Sequence, residues 1–192
     1  MALLKRSRVL ALAAGAILWV VCARPLAQAQ PAQSPPTGES DVKAAFLYNF
    51  TKFIDWPATA FEATPDVFRV CVFAEPAFLQ SVERMLLGET VRGRQIQVDT
   101  PDSTARARTC QIAYFAQSSI DHAADLLPAL RQAPVLTVGE SRRFLAQGGA
   151  VAFVVDDNRV RFDVNKKAAD QAGLTISSKL LRVARNVTPL ER

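Results

Sequence analysis

The chain has 192 residues, 49% hydrophobic and 21% charged, with 11 Pro, 8 Gly and 3 Cys. That is enough apolar material for one domain with a proper core, and it excludes a disordered chain, a collagen-like repeat and a disulfide-dense mini-protein. The formal charge of +5 invites a nucleic-acid reading until the cations are located.

Several of them sit at the start. Lys5, Arg6 and Arg8 precede an uncharged 13-residue apolar run, residues 9–21, and then the small-residue triplet Ala27-Gln28-Ala29. A basic start, a short apolar stretch and an A-x-A site predict a secretory signal peptide over 1–29, cut after Ala29. The run is shorter than the roughly 20 residues a spanning helix needs, and the bulk of Val21 before Cys22 argues against a lipoprotein. The expected destination is the bacterial periplasm. Residues 1–29 hold four of the 23 cations and none of the 18 anions, so the remainder carries only +1. The electrostatic footprint of a nucleic-acid binder is therefore absent.

Residues 30–39 (QPAQSPPTGE) read as a flexible leader, 40–188 as one globular domain and 189–192 as a tail. Ser40 or Asp41 can cap a first helix with an apolar stripe at Val42, Ala45, Phe46, Phe50, Phe53 and Ile54, halted by Trp56-Pro57. Residues 67–74 predict a buried strand, 77–87 a helix closed by Gly88, and 95–98 and 110–116 two further strands. A helix from Ser118 or Ser119 to Arg131 carries Pro128, which is expected to kink or shorten it. Residues 134–138 form a strand and 141–147 a short helix stopped by Gly148-Gly149. Runs at 150–155 and 159–164, joined by Asp156-Asp157-Asn158, predict a hairpin. Asn165 caps a helix to Gln171, Gly173 ends it, and 175–185 predicts a last helix. Alternating strands and helices define the fold class as α/β, a mixed β-sheet flanked by helices in a single domain.

Chemistry is sparse in this pattern. His122, next to Asp121 on a helix start, does not make a triad, because neighbours on a helix point about 100° apart. One histidine and two distant cysteines give no zinc spacing, and no phosphate-binding or nucleophile-elbow motif is present. Asp156 and Asp157 read as turn residues. No catalytic residue, metal or cofactor is assigned. Cys71 and Cys110 stand 39 positions apart in apolar strand candidates. In an oxidising compartment they form either a bridge, worth about 4 kcal/mol of chain entropy, or two separate buried thiols.

Several blocks resemble one family. The stretch from Val42 to Pro57 (VKAAFLYNFTKFIDWP) is similar to the opening motif of the YfiR family of periplasmic proteins. Arg69-Val-Cys-Val72, Cys110, Val135-Leu-Thr-Val138, Gly148 to Phe153, Val160 to Asn165 and Ala172 to Leu181 continue the likeness in order. The resemblance implies a homodimeric periplasmic repressor. Its partner would be the extracytoplasmic sensor domain of an inner-membrane signalling protein, a diguanylate cyclase in the first instance, controlling cyclic di-GMP and biofilm. Cys71 and Cys110 match a family cysteine pair able to form a disulfide, which implies redox gating. Leu145 and Ala152 occupy the neighbourhood of a second family pair, so an account resting on two bridges does not carry over. Tyr48, Asn49, Lys52 and Trp56, off or at the edge of the Phe46-Phe50-Phe53 face, are the candidate partner or ligand surface, since Trp and Tyr dominate interface hot spots. The alternative is a periplasmic small-molecule binding protein acting with a sensor kinase or receptor.

Overall fold

The computed structural model describes residues 38–188; the expected signal peptide at 1–29, the expected leader up to residue 37 and the expected tail at 189–192 lie outside the described residues. Helix α1 (Glu39–Phe53) runs into a two-residue strand, β1 (Ile54–Asp55). Next come β2 (Val67–Phe73), α2 (Pro76–Leu86), β3 (Thr90–Val91) and β4 (Arg94–Asp99). A short α3 (Thr104–Ala107) leads to β5 (Ile112–Phe115), α4 (Ile120–Leu130), β6 (Leu136–Gly139) and α5 (Arg142–Ala146). The chain closes with β7 (Val151–Asp156), β8 (Arg159–Asn165), α6 (Lys166–Gln171), β9 (Thr175–Ile176), α7 (Ser178–Val183) and β10 (Asn186–Thr188).

Eight strands form one sheet in the order β10-β8-β7-β6-β5-β2-β4-β3. Its centre, β7-β6-β5-β2-β4, is parallel, and the direction reverses at the β7–β8 hairpin and at β3. β1 and β9 make a separate antiparallel pair. The domain is thus α/β, with a mixed sheet flanked by helices, as the alternation of elements predicts. Asp157 and Asn158 take the left-handed backbone at φ 47° and 60°, a geometry these residue types tolerate and a tight hairpin requires.

The two-residue period of the strands divides the core. Phe68, Val70 and Val72 of β2, with Ile112 and Tyr114 of β5, face the layer holding α1 and α2. Cys71 and Phe73, with Ala113 and Phe115, face α4 and Phe144 of α5. Phe144 is fully buried and lies against Gly139 and Gly149, where an added Cβ would overlap its ring. The Gly148-Gly149 pair therefore divides two tasks: Gly148 turns the chain at φ +98° and Gly149 leaves room for the ring.

Four expectations need correction. α1 starts at Glu39 behind Gly38, with no side-chain cap, so Ser40 and Asp41 lie in its first turn. Its buried face runs through Lys43, Ala44, Leu47, Phe50, Thr51 and Ile54. Phe46 is half-buried and Phe53 is 37% exposed. The helix is rotated because Lys43 finds Glu140 on the inner side, while the buried Thr51 hydroxyl donates back to the Tyr48 carbonyl of its own helix, so the stripe is not purely apolar. α4 continues through Pro128 to Leu130, held by the buried side chains of Leu126, Leu127 and Leu130. The segment 175–185 is not one helix. Thr175 and Ile176 pair with β1, Ser177 caps the short α7 through its side chain, and β10 follows.

Gly149→Ala is expected to lower stability by about 1–3 kcal/mol through overpacking against Phe144, read as a shift in the urea midpoint at unchanged slope.

Candidate interaction surface around the opening helix

α1 is seated by aromatic packing. Phe50 stands 5.3 Å from Phe162 of β8 and 6.0 Å from Phe153 of β7, and Phe46 stands 5.4 Å from Phe162. Near the helix start, Lys43 Nζ lies 2.6 Å from Glu140, just past the carboxyl end of β6, and 2.6 Å from Glu39. The Tyr114 hydroxyl donates to the same Glu140 carboxylate, and the Gln117 backbone N–H donates to it at 3.2 Å. Open α/β sheets bind ligands at the carboxyl ends of their strands; here that edge is occupied by the chain's own ion pair.

At its far end α1 passes into β1, and Trp56 anchors the exit. The Trp56 indole donates to the Gln111 carbonyl at 2.9 Å and meets the Phe68 ring edge-on at 5.0 Å. Gln111, itself buried, accepts from the Arg69 N–H and donates to the Ala60 carbonyl, both at 2.6 Å. A polar residue inside the apolar run at 110–116 thus gathers three segments.

The four candidate surface residues separate into two groups. Tyr48, Asn49 and Lys52 share the outward side of α1: Asn49 and Lys52 are exposed, and Lys52 Nζ sits 3.8 Å over the Tyr48 ring. The Tyr48 hydroxyl donates to Glu89, ahead of β3. Trp56 stands apart from them, half-buried, on the wall of a cavity of about 220 Å³ that Phe61, Phe68, Arg92 and Arg94 also line. Arg94 lies 4.0 Å over the Phe61 ring, and its buried Nε has no hydrogen-bond partner among the described residues. Sequence reasoning missed Lys43, Tyr114 and Glu140. The available signal was a lysine beside the apolar positions of an amphipathic helix.

On the opposite side of the sheet Cys71 and Cys110 form a disulfide with their Cα atoms 5.9 Å apart, inside the usual range. Both cysteines are buried, so of the two readings left open by the sequence the bridge is the one found. Among the described residues no three His, Cys, Asp or Glu side chains gather as metal ligands, and no helix is long and apolar enough to cross a membrane.

A mixed, largely parallel sheet with an opening helix strapped across it and a buried disulfide on the other face defines a disulfide-containing α/β domain. The chain belongs to the YfiR/HmsC-like family, whose model matches residues 40–185. Among solved structures it is similar to a conserved domain protein of Vibrio cholerae, with TM-score 0.53 and 13% identity. That match covers 78% of this chain, and this chain spans 60% of that one. A Streptococcus pneumoniae ABC domain in complex with L-Trp matches with TM-score 0.44 and 13% identity over 65% of this chain and 56% of that one. No curated protein matches the chain.

Two measurements check this geometry. The double variant Cys71→Ser, Cys110→Ser should lose about 4 kcal/mol of stability, from the chain-entropy cost of a loop this long, in urea unfolding. The second concerns pH. Burial opposes charge on Lys43, yet Glu140 and then Glu39 outweigh it and hold its ammonium above the ordinary lysine value. Burial, then the charge and hydrogen bond of Glu140, push the Tyr114 phenol well above its usual range. Both groups keep their protons longer in the folded chain than in the unfolded one. Stability should be complete below about pH 10 and fall above it as the unfolded chain ionises. Tyr114→Phe should make that alkaline decline shallower in urea midpoints measured across the range.

Proposed function

We propose that this protein is an exported, non-catalytic regulator. It binds the extracytoplasmic sensor domain of an inner-membrane diguanylate cyclase and holds it inactive, limiting cyclic di-GMP. The observation that carries this reading is the YfiR/HmsC-like match over residues 40–185, nearly the whole described domain. Three features support it. The export signal read at 1–29 directs the chain to the periplasm. A disulfide buried in the core suits an oxidising compartment. The sheet edge where a substrate would ordinarily bind is filled by Lys43 and Glu140. The protein acts as a homodimer in this reading.

Redox gating works here through stability. Cys71 and Cys110 lie inside the core, so loss of the bridge removes about 4 kcal/mol and thins the folded population without remodelling a surface. The cavity beside Trp56, with Arg92 and Arg94 on its wall, supports a second reading, a small anionic ligand that modulates binding and brings in a sensor kinase or receptor.

Deletion of the gene is expected to raise cyclic di-GMP and biofilm. Restoration should need the full chain with its signal peptide, since a version starting at Gln30 stays in the cytoplasm. Unchanged cyclic di-GMP after deletion would overturn the cyclase assignment. An unchanged response from the leaderless version would overturn the compartment.

A further inference from the structure

β8 is covered on its outer side only in part. β10 pairs with Asp163, Val164 and Asn165, and the Arg185 N–H reaches the Phe162 carbonyl at 2.8 Å. Among the described residues no strand of the sheet lies beside residues 159–161 on that outer side. The Asn165 N–H bonds to the Ala150 carbonyl across β7–β8. By the alternation of an antiparallel ladder, Asp163, Arg161 and Arg159 then bond toward β7, while Val160 directs its N–H and C=O outward. Val160 and its cross-strand partner Val155 place their side chains on the α1 side. There they border a groove of about 500 Å³ with Val42 and Phe46. Val155 is 57% exposed. Arg159 and Arg161 are exposed and make no ion pair among the described residues.

We infer that the outer edge of β8 at Val160, with this groove, docks an extended acidic segment of a protein partner by strand addition. The pattern follows from the register. The partner residue opposite Val160 is apolar and enters the groove between Val155 and Phe46. Its two neighbours point to the other face, opposite Arg159 and Arg161, and are acidic, giving acid–apolar–acid. A second copy of this chain does not fit. In a two-fold antiparallel pairing through Val160, Arg159 of one copy stands opposite Arg161 of the other, and like charges directly opposite are destabilising. The assignment rests on the proposed regulatory function and names the surface through which it acts.

The test uses the full exported chain in its own cells, with Val155→p-benzoylphenylalanine as a photocrosslinker and adducts sequenced by mass spectrometry. The expected product joins residue 155 to an acid–apolar–acid stretch in the extracytoplasmic part of an inner-membrane protein. Val160→Pro removes the outward N–H without touching a bond to β7, and should cut the yield about tenfold, the worth of one to two lost hydrogen bonds. Arg159→Glu with Arg161→Glu should do the same in a chain whose circular dichroism is unchanged, which guards against misfolding of the proline variant. An adduct between two copies of the chain overturns the inference, as does full yield from both variants. Capture of a membrane protein through Lys52→p-benzoylphenylalanine but not through residue 155 overturns this surface and leaves the regulatory reading standing. No membrane adduct from either position overturns both.

Discussion

The meeting of the Lys43 ammonium with the Glu140 carboxylate governs how the rest of the domain is arranged. A charge in this position is costly to desolvate, and the cost is met only when the opposite charge and further hydrogen bonds close around it. Tyr114 and the Gln117 N–H provide those bonds. The pair ties the start of the opening helix to the carboxyl end of the central strands and sets the rotation of α1 about its own axis. With Lys43 turned inward, Leu47 and Phe50 follow onto the sheet, Phe46 moves to the margin beside the β8 edge, and Tyr48 and Lys52 face outward.

That rotation explains where the sequence was legible and where it was not. The parallel strands were readable because buried strands are short β-branched and aromatic runs, and 67–74 and 150–155 are of that kind. The cap at Asn165 was readable because a side-chain oxygen ahead of a helix has a local job, and it accepts from the Ala168 N–H three residues on. Periodicity failed where a polar residue was taken into the core by a partner far away in sequence. Lys43 needs Glu140, 97 positions away, and no local pattern joins them. The segment 175–185 failed for a related reason. Its helical spacing is real, but Thr175 and Ile176 find β1, and Arg185 is drawn to the buried Asp163. Tertiary pairing divides what propensity would leave whole.

The candidate surface was half legible on the same grounds. Tyr48, Asn49 and Lys52 do share one outward side, because residues three and four apart on a helix are neighbours. Trp56 lies beyond the helix end, where spacing carries no information, and the Gln111 carbonyl determines its place. An aromatic residue next to a proline reads as a surface anchor in sequence, while the fold uses it to hold the chain's exit from α1 against β2 and β5.

These contacts share one consequence for function. The polar groups best placed for chemistry, Glu140, Tyr114, Gln111 and Asp163, are engaged by other parts of the same chain. The sheet is braced on one face by Phe50 packing and on the other by the Cys71–Cys110 bridge. Such a body presents a surface whose shape is set before any partner arrives, and pre-formed surfaces bind without the entropy cost of ordering themselves. The bracing also has a limit. It is strongest over the central strands and ends where β10 stops short of residues 159–161. Two arginines stand there in place of a further strand. Charges on an edge discourage pairing with a copy of the same edge, and they leave it open to a segment of opposite sign.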